Sequence, residues 1–331
     1  MSTPSSLSLT ANALKSCVPN NTNERNSLRQ CPACGSQNGA EQYRQAPDRF
    51  HGRGDAYQLA RCATCSLVWL KDPPPPAEMG QHYGEDYDRA ISGAGGDPRH
   101  WTGRRDILLR YKSGGAILDL GCSSGGFLSA LKGPAWKLFG IEMSERVARE
   151  AEEKTSAQVF VGDILDAQFP PESFDAITCF HVFEHVYQPK GVLAKVYEWL
   201  KPGGIFYTEM PNIDSAGARI FRSYWYALEL PRHLYHFSPG SLRNLAKAAG
   251  LQEVSITTHR YVFIEASVRY VIDDMCSKFG IHRTPMAQAK PACLPWKVVR
   301  KGFRLTILPG LSALAVLAGD GEIIHAIFAK K

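Results

Sequence analysis

A glycine turn is the first feature of the sequence that could do chemistry. The apolar run Ala116–Leu120 contains Asp119 and leads into Gly121, Ser123 and Gly125. Because glycine lets a ligand approach the backbone closely, such a turn after a buried strand predicts a cofactor site. Serine takes the place of the middle glycine of a dinucleotide fingerprint, and no lysine follows Gly125 as a phosphate-binding loop requires. The turn therefore argues against both of those cofactor classes.

Acidic residues close the next two apolar runs. Lys137–Glu142 ends in a carboxylate about 20 residues after the glycine turn, the spacing that places an acid on a ribose hydroxyl. Val159–Ile164 is predicted as the third strand and carries Asp163 near its end. The two acids are therefore expected to share one edge of the sheet, with Glu142 placed to bind a ribose hydroxyl.

The Asp-x-Gly-x-Ser-x-Gly turn and these acids together resemble the motifs of the class I S-adenosylmethionine-dependent methyltransferases, over roughly residues 80–260 plus the last strand. The resemblance implies that S-adenosylmethionine (SAM) is the cofactor and that Glu142 binds its ribose hydroxyls. It implies that Asp163 and Ile164 hold the adenine. It also implies that the glycine turn lies against the amino-acid end of SAM, with Asp119 orienting it.

The same resemblance places Phe180 and His181 along the methionine end of SAM. Tyr83 or Tyr87 is expected to touch that end, and packing at the sheet edge explains either tyrosine equally well. The complete set of cofactor-binding residues implied in this way is Asp119, Gly121, Cys122, Ser123, Gly125, Phe127, Glu142, Met143, Asp163, Ile164, Phe180, His181 and Tyr83.

Two Cys-x-x-Cys pairs near the N-terminus predict a structural zinc site. The 27 residues between the pairs suit tetrahedral zinc on a ribbon of short strands, and four thiolates leave no open position for substrate. Reduced core cysteines or two disulfides are the alternatives, and the lack of a secretory signal argues against disulfides. His51 is interpreted as a surface residue. The predicted zinc ligands are Cys31, Cys34, Cys62 and Cys65.

Histidines supply the candidates for a catalytic base, because an imidazole near neutral pKa can take the proton that leaves as the methyl group arrives. His233 and His236 precede a helix, in an Arg-His-x-x-His-Phe-Ser pattern that resembles a signature of the same methyltransferase branch. His236 is the favoured base, His233 the second candidate and His181 the third. His185 follows Glu184, and a structural role is as probable for that pair as a catalytic one.

The elements that must position these residues alternate between strand and helix patterns, which predicts an α/β fold with a doubly wound, mostly parallel, seven-stranded, Rossmann-like sheet. An N-terminal zinc ribbon and a helical insertion before the last strand are expected to be added to it. The predicted organisation is a disordered tail (1–30), the ribbon (31–70), a linker with a helical cap (71–112) and the SAM-binding domain (113–331). Within that domain, residues 213–237 are predicted as a substrate lid and 262–320 as the insertion.

Composition limits the choice of partners. The chain has 331 residues and a formal net charge of +6, without the dense basic and aromatic interleaving typical of nucleic-acid binders. The apolar stretch Leu305–Leu317 is too short to span a bilayer, so it is interpreted as a buried or dimer-forming hairpin, with contact to a lipid-linked acceptor as the alternative. A cytoplasmic location is expected because no secretory signal is present.

The predicted reaction is methyl transfer to oxygen or carbon of a small-molecule or carbohydrate acceptor. The Cys-x-x-Cys pairs followed by Leu-Val-Trp-Leu resemble the N-terminal segment of a methyltransferase branch that acts on such compounds. The alternatives are RNA methylation, in which the ribbon would bind RNA, and a non-catalytic scaffold. The ribbon holds four arginines against three acids, which is too weak an excess of positive charge to favour RNA.

Overall fold

The computed structural model describes residues 30–37, 40–50, 53–83, 98–259, 263–278 and 320–331. The predictions made for the N-terminal tail, His51, Tyr87 and Leu305–Leu317 lie outside the described residues. Of the predicted insertion, only residues 263–278 and 320 are described.

A seven-stranded sheet forms the centre of the molecule, which confirms the predicted doubly wound fold. Six of its seven strands run in the same direction and β11 alone runs opposite to them, pairing antiparallel with both β10 and β8, in the spatial order β10-β11-β8-β7-β4-β5-β6. The strand order reverses between the parallel neighbours β4 and β7, since β5 and β6 follow on one side of β4 and β7 and β8 on the other, and open α/β sheets bind ligands at such a switch point. The strands are β4 (Gly115–Leu120), β5 (Trp136–Glu142), β6 (Gln158–Val161), β7 (Phe174–Phe180), β8 (Leu200–Pro211), β10 (Gln252–His259) and β11 (Ile323–Ala329).

Helices cover the sheet and begin where the sequence provides caps. Ser144 caps one helix by accepting a hydrogen bond from the backbone of Val147, and Ser238 caps another in a reciprocal arrangement with Ser241. Among the described residues the α-helices are Pro76–Met79, Pro98–Leu109, Gly126–Ala130, Glu145–Thr155, Pro189–Trp199, Ala216–Phe221, Pro239–Ala248 and Ile264–Lys278. None of these helices is both long and apolar enough to cross a membrane.

A second, four-stranded antiparallel sheet carries the cysteine pairs. Three of its strands are β1 (Ala40–Asp48), β2 (Arg53–Cys62) and β3 (Val68–Leu70). The fourth is β9 (Tyr235–His236), which belongs to the predicted lid and pairs with β3. The ribbon and the lid are therefore joined by backbone hydrogen bonds, a connection between distant segments that no local pattern indicates.

The strand boundaries differ from expectation in two places. The third parallel strand was expected to run to Ile164 and ends at Val161, because Gly162 has a positive φ of 146° and Asp163 then accepts a hydrogen bond from the backbone of Leu165. The fifth begins at Leu200 rather than Ile205, directly after a helix. The first change leaves Asp163 in a turn beyond the strand, on the same edge as Glu142.

Candidate functional site

The glycine turn is held in shape by contacts that only glycine permits. Gly121 has a φ of 70°, and a Cβ atom there would lie 2.4 Å from Cγ2 of Val182. Gly125 also has a positive φ, and its Cβ would lie 2.9 Å from Cγ2 of Thr155. The contact with Val182 matters most, because it sets the turn directly against the segment that follows β7.

The two acids predicted to bind the nucleoside lie on the same open edge. The carboxylate of Glu142 accepts hydrogen bonds from the backbone amides of Ser123 and Ser144, at 3.0 Å each. Glu142 also joins the next strand through its carbonyl, which accepts from the amide of Gly162 at 3.0 Å. Asp163 follows in an exposed turn. The glycine turn and both acids thus line one accessible edge.

Asp119 lies beneath this edge, buried with 4% of its surface exposed. Its Oδ1 accepts a hydrogen bond from Oγ1 of Thr178 at 2.7 Å. Burial raises the pKa of Asp119 to about 7, against the opposing effects of the Thr178 hydrogen bond and the Arg104 charge. The carboxyl therefore changes its charge near neutral pH.

The other predicted cofactor residues take up different positions. Phe127 is 1% exposed and packs edge-to-face on Phe180, with ring centroids 4.9 Å apart, so it supports the site from within the core. The Cys122 thiol fills the space left by Gly140, where a Cβ would lie 2.5 Å from its sulfur. Met143 is 69% exposed beside Glu142, and its apolar surface is open to a ligand.

An ion-pair network that the sequence analysis missed connects the cofactor edge with the histidines. The guanidinium of Arg104 pairs with both carboxylate oxygens of Glu209. Nε2 of His181 lies 3.0 Å from Glu209, and Nε2 of His325 lies 3.1 Å from it. Burial alone would raise the pKa of Glu209, but the hydrogen bond from His181 and the nearby positive charges outweigh it and hold the pKa well below its usual range.

His181 bridges two carboxylates. Its Nδ1 lies 3.4 Å from Glu184 and its Nε2 3.0 Å from Glu209, and its side chain is 39% exposed. Burial acts to lower the pKa of His181, but its contacts with both acids outweigh burial and raise the pKa to about 10. The ring is therefore protonated at neutral pH, which suits it to donate hydrogen bonds rather than to accept a proton.

The remaining candidate histidines gather around Glu184. The rings of His185 and His233 meet edge-to-face with centroids 4.6 Å apart, and His236 lies 6.1 Å from His233. Burial lowers the pKa of His185 to about 4 and that of His233 to about 3. Two chain segments supply this group: the turn after β7, which holds His185, and residues 233–236, which end in strand β9.

Tyr83 lies against the same group rather than in the open. Its hydroxyl is 2.9 Å from Nδ1 of His185, and burial raises the pKa of the phenol above its usual range. The structure thus brings together Tyr83, His181, His233 and His236, which the sequence analysis had selected separately. Glu184, which contacts His181 and lies near His233, is 1% exposed.

The four cysteines also converge. One sulfur from each lies within 4.8 Å of the others, with 3.4 Å between Cys31 and Cys65 and 3.6 Å between Cys34 and Cys62, and none is in a disulfide. Tetrahedral zinc–thiolate geometry requires sulfurs about 3.8 Å apart. Each pair sits on a matching turn, closed by a hydrogen bond from Gly35 to Cys31 and from Ser66 to Cys62. The residues fit a four-thiolate metal site.

The doubly wound sheet, the glycine turn at its switch point and the acids on the next two strands define a Rossmann-like protein that binds a nucleoside cofactor. Residues 98–256 match the family described as a methyltransferase domain. The chain is 30% identical over 174 residues to the ubiquinone biosynthesis O-methyltransferase of Thiobacillus denitrificans, covering 49% of this chain and 73% of the relative. It is 31% identical over 199 residues to the enzyme of the same name from Pseudomonas putida, covering 53% and 83%.

Solved structures support the fold. Phosphoethanolamine N-methyltransferase 2 of Haemonchus contortus, in complex with SAM, is similar with a TM-score of 0.51 and 18% identity, over 80% of this chain and 61% of that one. The [4+2]-cyclase SpnF is similar with a TM-score of 0.50 and 16% identity, over 78% and 97%. A methyltransferase and a cyclase on one fold illustrate that the fold alone does not define the reaction.

The sequence relatives decide the family. The chain belongs to the class I SAM-dependent methyltransferases and is an enzyme of that class. SAM is accordingly its cofactor, and it supplies the methyl group as an electrophile when bound.

Proposed function

We propose that this enzyme transfers the methyl group of SAM to a hydroxyl group of a small-molecule acceptor, with His236 as the general base. The observation that carries this proposal is the convergence of buried histidines beside the glycine turn, through the contact of Gly121 with Val182. The sequence relatives, whose names describe O-methyltransferases of ubiquinone biosynthesis, favour oxygen over carbon as the methylated atom.

We assign the open edge to the binding of SAM. Glu142 would hold the ribose hydroxyls through acceptor positions that its two backbone partners leave free. Asp163 and Ile164 would flank the adenine, and exposed Met143 would cover one of its faces. Gly121 to Gly125 would lie against the methionine portion, whose sulfonium end then points toward His181 and the segment after β7.

We assign removal of the acceptor's O–H proton to the buried histidine group. As the acceptor oxygen forms its bond to the methyl carbon, the carbon–sulfur bond of SAM breaks and the O–H proton passes to a ring nitrogen of His236. Protonated His181 would hold Glu184 and Glu209 in place through its two N–H groups, and His233 is the second candidate for the base. His236 is 2% exposed, so water is excluded from the transfer.

The experiment follows production of S-adenosylhomocysteine with a panel of phenols, catechols and nucleotide sugars as acceptors. His236→Ala should lower kcat by about 10²–10⁴-fold, the contribution of a positioned base. The Kd of SAM, measured by calorimetry, should change less than about threefold because the base does not touch the nucleoside edge. His259→Ala, a histidine on β10 away from the turn, is the matched control. Equal kcat in His236→Ala and wild type would remove the assignment.

The same panel separates the other acceptor classes. Methylation of a sugar carbon would show as a carbon–carbon-linked methyl group in the product. RNA methylation would require an affinity for RNA that falls steeply with salt, so a salt-independent reaction excludes it.

We also propose that the four cysteines hold one structural zinc ion. Four thiolates fill a tetrahedral shell, so the ion would stabilise the ribbon and take no part in methyl transfer. Since β3 of the ribbon pairs with β9, which contains His236, the ribbon would also fix the position of the base.

A further inference from the structure

Glu184 is the most unusual buried group in the molecule. It is 1% exposed, and neither carboxylate oxygen has a hydrogen-bond partner. Its nearest positive group is His181, whose Nδ1 lies 3.4 Å from Oε1, which leaves Oε2 without any donor. A buried carboxylate is costly unless it is fully paired or binds a cation. The contact with His181 alone does not meet that requirement.

Two histidines complete a set of ligands around this carboxylate. One nitrogen from each of His185 and His233 and one oxygen of Glu184 all lie within 4.8 Å of one another. Imidazole and carboxylate together are the donor set of divalent transition-metal sites.

Both rings are oriented as metal ligands are. Nδ1 of His185 lies 3.1 Å from the carbonyl oxygen of Arg232, and Nδ1 of His233 lies 2.9 Å from that of Ala227. A carbonyl only accepts hydrogen bonds, so the proton of each ring is assigned to Nδ1, and at His185 the hydroxyl oxygen of Tyr83, 2.9 Å from the same nitrogen, is then a second acceptor. Nε2 of each ring is therefore the lone-pair nitrogen. A metal-binding histidine nearly always donates its other ring N–H to such a carbonyl or carboxylate.

We propose that Glu184, His185 and His233 bind a divalent transition-metal ion at a second metal site, distinct from the four cysteines. Three protein ligands leave positions open, as in catalytic rather than structural sites. Glu229 lies close by, with Oε2 3.7 Å from Nε2 of His233, and adds negative charge to the surroundings.

The location of the ion gives it a role in acceptor binding. Glu184 and His185 follow Val182, which touches the glycine turn, so the site adjoins the methionine end assigned to SAM. A metal ion there would bind the acceptor oxygen and lower its pKa, and His236 would receive the proton. This role rests on the proposed function, whereas binding of the ion does not.

The test uses the full-length chain with its cysteine site filled with zinc, and Co²⁺ as the probe. Wild type should bind one Co²⁺ per chain in addition to the zinc, measured by elemental analysis after gel filtration. Its absorption should show d–d bands without thiolate charge transfer, which places the ion on nitrogen and oxygen ligands. Wild type that binds no additional Co²⁺, or binds it with thiolate charge transfer, overturns the proposal without any need for a variant.

Variants then assign the ligands. Glu184→Gln and His233→Asn should each weaken Co²⁺ binding by about 100-fold or more, since even residues that only support a ligand contribute 10–100-fold. Glu253→Gln on β10 and His259→Asn are the matched controls and should bind Co²⁺ as wild type does. Retained SAM binding shows that each variant is folded. Wild-type affinity in folded Glu184→Gln would overturn the proposal.

The Co²⁺-binding measurement and the methylation measurement test the metal site and the proposed reaction separately. Bound Co²⁺ without any methylated product would leave the metal site standing and count against the proposed reaction. Methylation that continues at the full rate in metal-free enzyme, with the Co²⁺ site demonstrated, would overturn the role of the ion in acceptor binding.

Discussion

The cofactor edge and the histidine group differ in how they are built. Along the cofactor edge, Glu142 and Ser123 are joined by side-chain-to-backbone hydrogen bonds between adjacent parallel strands, and Met143 and Asp163 are open to solvent. In the histidine group, Glu184 and His233 are almost fully buried and come from distant parts of the chain.

The difference reflects two chemical tasks. A nucleoside cofactor must enter and leave at each turnover, so its site is preformed and accessible. Proton removal and methyl transfer require water to be excluded, and the groups proposed for these steps are buried. The contact between Gly121 and Val182 and the Arg104–Glu209–His181 network connect the two regions.

The largest effect is expected when the carboxylate of the open edge is removed. Glu142→Ala should weaken SAM binding by about 100-fold or more, because each charge-assisted hydrogen bond to a ribose hydroxyl contributes about 1.5–3 kcal/mol. The acceptor KM at saturating SAM should stay the same, since the histidine group is untouched. Calorimetry and steady-state kinetics measure the two effects. Glu145→Ala, at the exposed start of the next helix, is the control. Unchanged SAM affinity in Glu142→Ala would contradict the assignment of this edge.

Loss of the zinc ion proposed for the ribbon should affect the histidine group rather than the cofactor edge. Cys62→Ser should lower the zinc content and reduce kcat by about 10- to 100-fold, because a small displacement of the base that β9 carries weakens catalysis strongly. SAM affinity should remain close to wild type. Elemental analysis and kinetics check this, with Cys276→Ser as the control. Normal zinc content in Cys62→Ser would show that Cys62 is not a zinc ligand, and zinc-free wild type would show that the cysteines hold no zinc.

The smallest expected effect is a pH-dependent gain in stability from Asp119→Asn. The folded protein keeps a proton on Asp119 up to a pKa of about 7, whereas the ordinary value is 3.8, so wild type loses stability as pH rises through this interval. Asparagine carries no such proton and still accepts from Thr178. The melting temperature of the variant relative to wild type should therefore rise between pH 4 and pH 7 and stay level above, by about 2–4 °C for each kcal/mol. A difference that does not change with pH would refute the raised pKa.

The sequence was sufficient for the open edge because its signals are local. A buried strand that ends in glycine or an acid indicates the position of Gly121 and Glu142, and parallel strands bring those ends to one edge without further information. Glu209 is likewise an acid near the end of a buried strand, the fifth. This signal could have identified Glu209 as a site residue and so led to its ion pair with Arg104. The paired cysteines were equally readable, because their spacing determines the turns that bring Cys31 and Cys34 together.

Only the tertiary structure decided what surrounds Glu184. In the sequence, 47 residues lie between His185 and His233, and no periodicity relates them. They meet because β9 joins the ribbon sheet through β3 while the turn after β7 packs against Gly121. Such pairings depend on long-range hydrogen bonds and burial, so the sequence could select the histidines by type but could not show that they share one buried carboxylate.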